Sequence, residues 1–127
     1  TLSCSRDQIR ALANFAETHG VDPASKITFN SVRDDGLPID RASRTWPNTE
    51  RIKAAIALYE LDGVDPSATI ESSAALLFDR YLGRTLPATW IDLVDANGKP
   101  VPGNAPASTL YHVFLAFAEV LRVSDQT

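Results

Sequence analysis

A short segment of the sequence recurs at a fixed offset of 62 residues. Three of its residues are matched in the second copy: Val32 by Val94, Gly36 by Gly98 and Pro38 by Pro100. Each copy holds an Asp-Gly or Asn-Gly pair, the strongest short signal for a β-hairpin. A repeat of this length is typical of proteins built from stacked units. We therefore expect residues 1–127 to form a single domain of two helix–hairpin–helix units, about 1–63 and 64–127.

Four helices are predicted from apolar periodicity and capping residues. The first three are expected at Arg6–His19, at Asn48–Leu61 and from after Pro66 to Leu82. The fourth is expected at Thr109–Arg122. Ser5 and Ser108 are the predicted N-caps of the first and fourth helices.

The helices alternate in character. The first and third carry one apolar stripe, whereas the second and fourth are apolar on nearly every side, a pattern typical of outer and inner helices. The sequence thus predicts an all-α array of helical hairpins, with two short β-hairpins in the loops. Because two units cannot close a ring, we expect apolar inner-helix surface to stay uncovered and to favour self-association. The residues concerned are Ile52, Ile56, Val113, Phe114 and Phe117.

Composition excludes several classes of function. The net charge is −4 and the basic residues are scattered, which argues against a nucleic-acid or membrane-surface partner. No apolar run approaches the roughly 20 residues that span a bilayer. The single Cys4 and the absence of zinc-ligand spacing predict no metal site and a reducing, cytoplasmic setting. The chain contains no Met, even at position 1, so we expect it to come from a longer protein.

Two residues that could carry proton-transfer chemistry are separated by the same offset. Glu50 and His112 each fall just inside a helix that follows a hairpin, so the repeat predicts both at one end of the array. A neutral imidazole near a helix N-terminus is a good general base. The alternative is structural, since acids and histidines at helix starts are common. His19, at the end of an outer helix, is expected to be solvated.

Four further residues lie near this pair along the chain and suit the binding of a sugar: Trp46, Asn48, Tyr111 and Arg44. Aromatic rings stack on the apolar face of a sugar, and amides bond its hydroxyl groups. Arg44 could hold an anionic group, although surface arginines are usually solvated. Trp46 could instead be a hydrophobic staple at a helix start.

Three ordered motifs resemble the N-acylglucosamine 2-epimerase superfamily, in its mannose or mannose-6-phosphate isomerase branch. They are Arg44–Ala55, Pro87–Asp92 continuing through Asn97–Pro100, and Ala105–His112. The resemblance implies an (α/α)6 barrel of which this chain is the C-terminal third. It also implies interconversion of aldose and ketose sugars, or of C2 epimers, through an enediol and without a cofactor.

In this superfamily two histidines act as acid and base, and His112 matches the second of them. The resemblance places the first upstream, so we expect the 127 residues alone to be inactive and the rest of the barrel to be their partner. The competing interpretation is a helical-repeat module that binds a carbohydrate or a protein without catalysis.

Overall fold

The computed structural model of the chain describes residues 2–83 and 89–125, and residues 2–4 through their backbone alone. The side chain of Cys4 and the Pro87-Ala88 start of the second motif lie outside the described residues. The described elements are α1 Leu2–His19, β1 Ser31–Val32, β2 Pro38–Asp40, β3 Ser43–Arg44, α2 Thr45–Asp62, α3 Ser67–Leu76, β4 Leu93–Val94 and α4 Ala107–Ser124. A π-helical turn at Leu77–Tyr81 continues α3.

The backbone structure repeats at the same offset as the sequence. Helices α2 and α4 each contain 18 residues, and their first residues, Thr45 and Ala107, stand one repeat apart. The two hairpins also form equivalent hydrogen bonds. The N–H of Arg33 donates to Leu37 O, and the N–H of Asp95 donates to Lys99 O, both at 2.8 Å. The all-α array with two hairpins is confirmed, whereas its division into two units of one domain stays a prediction.

Helices α1, α2 and α4 begin earlier than the sequence predicted, whereas α3 begins after Pro66 as predicted. Helix α1 starts at Leu2, so Ser5 lies inside it and is not its N-cap. Helix α4 starts at Ala107 after an extended Pro106, and Ser108 makes no cap. The predicted cap at Ser108 was wrong because proline, which is favoured at helix starts, ends the extended loop two residues sooner.

The core lies where α3 and α4 pack against α2. Ile52 and Ile56 are buried there with Leu77 and Tyr81. The prediction that these two isoleucines stay uncovered was therefore wrong, because α3 and α4 together cover that side of α2. Phe114, in contrast, is 68% exposed, as predicted for an open face of the array. Val113 and Phe117 are partly buried.

Two antiparallel ladders place the loops over one end of the helices. Strand β1 pairs with β2, and β3 pairs with β4, with Ser43 opposite Val94. The second ladder joins the two units immediately before α2 begins. His19 packs against Gly36 of the first hairpin, and its ring centroid lies 4.9 Å from that of Phe15, so the side chain that was expected to be solvated is partly covered. Among the described residues, no helix is long and apolar enough to cross a membrane.

Candidate active site

One aspartate anchors the starts of both inner helices. The N–H of Thr45, first in α2, donates to Asp92 O at 2.9 Å. The hydroxyl of Thr109, near the start of α4, donates to Asp92 Oδ1 at 3.2 Å. Because both helices start beside Asp92, residues at the same distance from the two helix N-termini lie side by side at one end of the structure. Asp92 was not among the predicted site residues, since only tertiary contacts reveal this role.

Glu50 and His112 meet as the repeat predicted. The Nδ1 atom of His112 lies 2.6 Å from Glu50 Oε1, and both side chains are about one-third exposed. An ionised carboxylate only accepts hydrogen bonds, so the proton of a neutral imidazole belongs on Nδ1. Nε2 is then the nitrogen that can accept a proton. Both residues lie in the second helical turn rather than the first, so the helix dipole affects them less than expected.

Aromatic rings flank the imidazole on two sides. The Trp46 ring lies 5.8 Å from that of His112, and the Tyr111 ring meets it edge-on at 5.6 Å. Trp46 and Glu50 are four residues apart on α2 and therefore share a face. Trp46 and Tyr111 are both exposed, as stacking on a ligand requires. The structure thus brings four of the six predicted residues together: Trp46, Glu50, Tyr111 and His112.

Asn48 belongs to a different group of residues. Its side chain is buried, and Oδ1 accepts the N–H of Thr28 at 3.0 Å. Its Nδ2 donates to Ser43 Oγ and to Arg44 O, and it lies 3.4 Å from the Tyr81 hydroxyl. Two residues before Glu50, Asn48 points to another side of α2. The amide is fully used in holding the loops on the helices, and a sugar contact of Asn48 stays a prediction.

Tyr81 is buried at the centre of this group of residues. Burial raises the pKa of the Tyr81 hydroxyl, which is held between Asn48 and the carbonyl of Ser43. A phenol kept neutral in this position is a structural donor and acceptor. The network of Asn48, Ser43 and Tyr81 therefore joins β3 to both α2 and the π-helical turn.

Arg44 is also engaged by the protein. Its guanidinium forms a short ion pair with Asp92, the residue that anchors both inner helices. The carboxylate neutralises the cation that was predicted to hold an anionic group. Arg44 remains partly exposed, but it acts first on Asp92 and so supports the site from the side of the loops.

Two further features surround the site. Lys53, which was not predicted from the sequence, places its Nζ 2.6 Å from Glu50 Oε1. An apolar slot of about 380 Å³ runs between α1 and α2 and is lined in part by Trp46 and Glu50. Across residues 5–83 and 89–125 no group of three or more His, Cys, Asp or Glu side chains could hold a metal ion.

Comparison with known proteins decides the family. The N-acylglucosamine 2-epimerase family model matches residues 5–116. The chain belongs to the N-acylglucosamine 2-epimerase family. A mannose-6-phosphate isomerase of Rhizobium meliloti (strain 1021) is 33% identical over 114 residues, which cover 87% of this chain and 30% of the relative.

Solved structures share the fold of this family member. A D-mannose isomerase superimposes with a TM-score of 0.76 at 23% identity. A cellobiose 2-epimerase from Spirochaeta thermophila DSM 6192 superimposes with a TM-score of 0.72 at 19% identity. Each match covers 87% of this chain and only 29% or 30% of the solved chain. The expected fold, a partial (α/α)6 barrel, is confirmed, and the chain spans less than a third of its relatives' length.

Proposed function

We propose that this chain supplies the second half of the acid–base apparatus of a sugar isomerase or 2-epimerase. The hydrogen bond between His112 Nδ1 and Glu50 Oε1 carries the proposal, because it leaves Nε2 to accept a proton on an imidazole that has two exposed aromatic rings as neighbours. A histidine oriented by a carboxylate is a common device of general acid–base catalysis. Membership of an epimerase family supports the same chemistry.

The reaction needs one proton to leave carbon and one to return. A base takes the proton from the carbon next to the carbonyl, and the C–H electron pair forms the enediolate. Return of a proton to C1, together with transfer of the O2 proton to O1, gives the ketose, whereas return of a proton to the opposite face of C2 gives the epimer. In this proposal His112 Nε2 is one of the two proton carriers, and Glu50 stabilises the imidazolium that forms. Trp46 and Tyr111 stack against the sugar.

We propose mannose or mannose 6-phosphate as the substrate class. The names of a mannose-6-phosphate isomerase relative and a D-mannose isomerase neighbour support this class. The second proton carrier is expected upstream, in the part of the relatives that this chain does not span. We therefore propose that the remainder of the barrel is the partner of this chain and that the 127 residues alone are inactive.

The apolar slot between α1 and α2 supports that partnership. Small and apolar side chains line much of it: Ala13, Ala16, Ala54, Ala55, Leu58 and Val64. A helix packs well against such a surface, because small residues allow close approach and apolar burial stabilises the contact. An additional helix of the barrel seated there would also close one side of the Trp46–Glu50 region. Self-association of copies through α4 is the alternative use of open array faces.

Exchange of the C2 proton tests the proposal. The longer protein that carries this chain would be incubated in D2O with mannose, mannose 6-phosphate or N-acetylmannosamine and followed by NMR. We expect exchange with at least one sugar, and loss of exchange in His112→Asn. Full exchange in His112→Asn would contradict the catalytic assignment. If the parent exchanged none of these protons but bound a sugar, a binding module would explain the family fold better.

A further inference from the structure

One oxygen of Glu50 accepts two donors. His112 Nδ1 and Lys53 Nζ both lie 2.6 Å from Oε1. A carboxylate oxygen has two lone pairs, so a single oxygen can accept both hydrogen bonds. Lys53 follows Glu50 by three residues on α2, which keeps the two side chains on one face of the helix. The carboxylate is therefore held by α2 through Lys53 and by α4 through His112.

The ammonium of Lys53 is enclosed more than a surface lysine usually is. Its side chain is 23% exposed, less than that of either Glu50 or His112. Ion pairs that are partly buried are less screened by solvent and salt. The contact therefore restrains the carboxylate of Glu50, whose terminal torsion angle otherwise has a broad distribution.

A second acid, Glu119 on α4, is influenced by the same ammonium. The pKa of the Glu119 carboxyl is lowered chiefly by its hydrogen bonds from Arg122, and the charge of Lys53 contributes to the lowering. Lys53 thus pairs with Glu50 on its own helix and is close enough to Glu119 on the packed helix to affect its pKa. Acids of both helices therefore attract the ammonium toward the seam between α2 and α4.

We propose that Lys53 is a positioning residue, which fixes Glu50 Oε1 against His112 and thereby keeps the imidazole proton on Nδ1. This inference rests on the proposed function for its effect on catalysis, but its effect on the imidazole is independent of any substrate. Loss of the ammonium frees Glu50 to rotate, and His112 then loses the acceptor that selects one tautomer.

The tautomer of His112 can be measured directly in this chain. His19 and His112 are its two histidines, so a ¹⁵N-labelled sample gives two imidazole spectra. The shifts of the two ring nitrogens, recorded at a pH where the rings are neutral, report which nitrogen carries the proton. We expect the Nδ1–H form for His112 in the natural sequence, a mixture with the Nε2–H form in Lys53→Met, and restoration in Lys53→Arg. His19 is the internal reference in each sample.

Matched variants separate positioning from folding. Lys99→Met makes the same chemical change at an exposed hairpin lysine and should leave both imidazole spectra unchanged. If Lys53→Met does not fold, Lys53→Gln keeps a neutral donor of similar length and takes its place. An unchanged His112 tautomer in a folded Lys53 variant would overturn the proposal, even if the variant were less stable.

Kinetics of the longer protein provide the second measurement. We expect Lys53→Met to lower kcat about tenfold with KM unchanged, as is typical when a supporting residue behind an active group is lost. Lys53→Arg should recover most of the rate. Unchanged kcat in Lys53→Met would refute the catalytic role. A parent that acts on no sugar would refute the proposed function, whereas a tautomer change in the same variants would still support the positioning role.

Discussion

Glu50 and His112 are 62 residues apart and hydrogen-bonded at 2.6 Å, so the sequence repeat is also a repeat of contacts. At the other end of the same helices, Arg122 lies 2.7 Å from Glu60, and this pair has the same separation. The inner helices therefore run parallel with equivalent positions side by side. One end of this ladder carries an imidazole between aromatic rings, and the other carries an ordinary ion pair.

This relationship gives a matched test of Glu50. In the longer protein, Glu50→Gln should lower kcat/KM about 10²-fold, because the amide no longer stabilises the imidazolium. Glu60→Gln removes the same charge at the other end of the ladder and should leave kcat/KM unchanged. Steady-state kinetics of both variants provides the comparison. Equal losses in the two variants would mean that Glu50 contributes only to helix packing.

Asn48 should prove to be a stability residue. Asn48→Ala leaves the part-buried N–H of Thr28 without its partner and removes one of the donors to the carbonyl of Arg44, which should cost about 2–3 kcal/mol of unfolding free energy. Asn97→Ala, at an exposed turn, should change it by less than about 0.5 kcal/mol. Denaturant unfolding of this chain measures both. Unchanged stability together with weaker sugar binding by the longer protein would restore the role first predicted from the sequence.

Much of the architecture could be predicted because it repeats. The hairpin at Asn97-Gly98 and the inner helix after it followed from the copy at Asp35-Gly36, and the offset alone placed Glu50 near His112. The role of Asn48 could not be predicted, since its partner Tyr81 comes from the other unit and is brought near only by folding. The burial of Ile52 was missed for the same reason. Local pattern indicates which helix is apolar, but packing decides which face is covered.

Gly36 should be more sensitive to substitution than Gly63. Both have a positive φ, of 87° and 71°, so alanine at either position should cost about 1 kcal/mol. A methyl group at Gly36 would also meet the imidazole of His19, whereas Gly63 faces open space. Gly36→Ala should therefore be the more destabilising change. Thermal unfolding of Gly36→Ala, with and without His19→Ala, tests this explanation. Without the imidazole, Gly36→Ala should destabilise the chain only as much as Gly63→Ala does.

Asp22 should make the stability of the chain depend on pH. Its Oδ1 accepts the N–H of Ser25 at 2.7 Å, the Ser25 hydroxyl at 2.9 Å and the N–H of Ala24 at 3.1 Å. The hydrogen bonds from the Ser25 backbone and hydroxyl are the largest causes that lower the pKa of this carboxyl.

A carboxyl with a lowered native pKa stabilises the fold above its unfolded value of about 3.9 and loses that effect as pH falls through the native value. Asp22→Asn should thus reduce the unfolding free energy at neutral pH, and the difference should shrink below about pH 4. Ser25→Ala should give a smaller change of the same form. A difference that stayed constant down to pH 2 would contradict this account.

The open face of α4 should make the isolated chain associate. Leu110, Phe114 and Leu121 lie along one side of the helix and are 56%, 68% and 66% exposed. An apolar stripe of this kind marks an interface, because its burial is favourable by about 25 cal/mol per Å².

We expect the 127-residue chain to bind a hydrophobic dye and to form larger species as its concentration rises in sedimentation velocity. Serine at all three positions should abolish both effects, whereas Ile39→Ser, on an exposed strand, should not. A natural chain that stayed monomeric at several hundred micromolar and bound no dye would contradict the association of copies through the exposed face of α4.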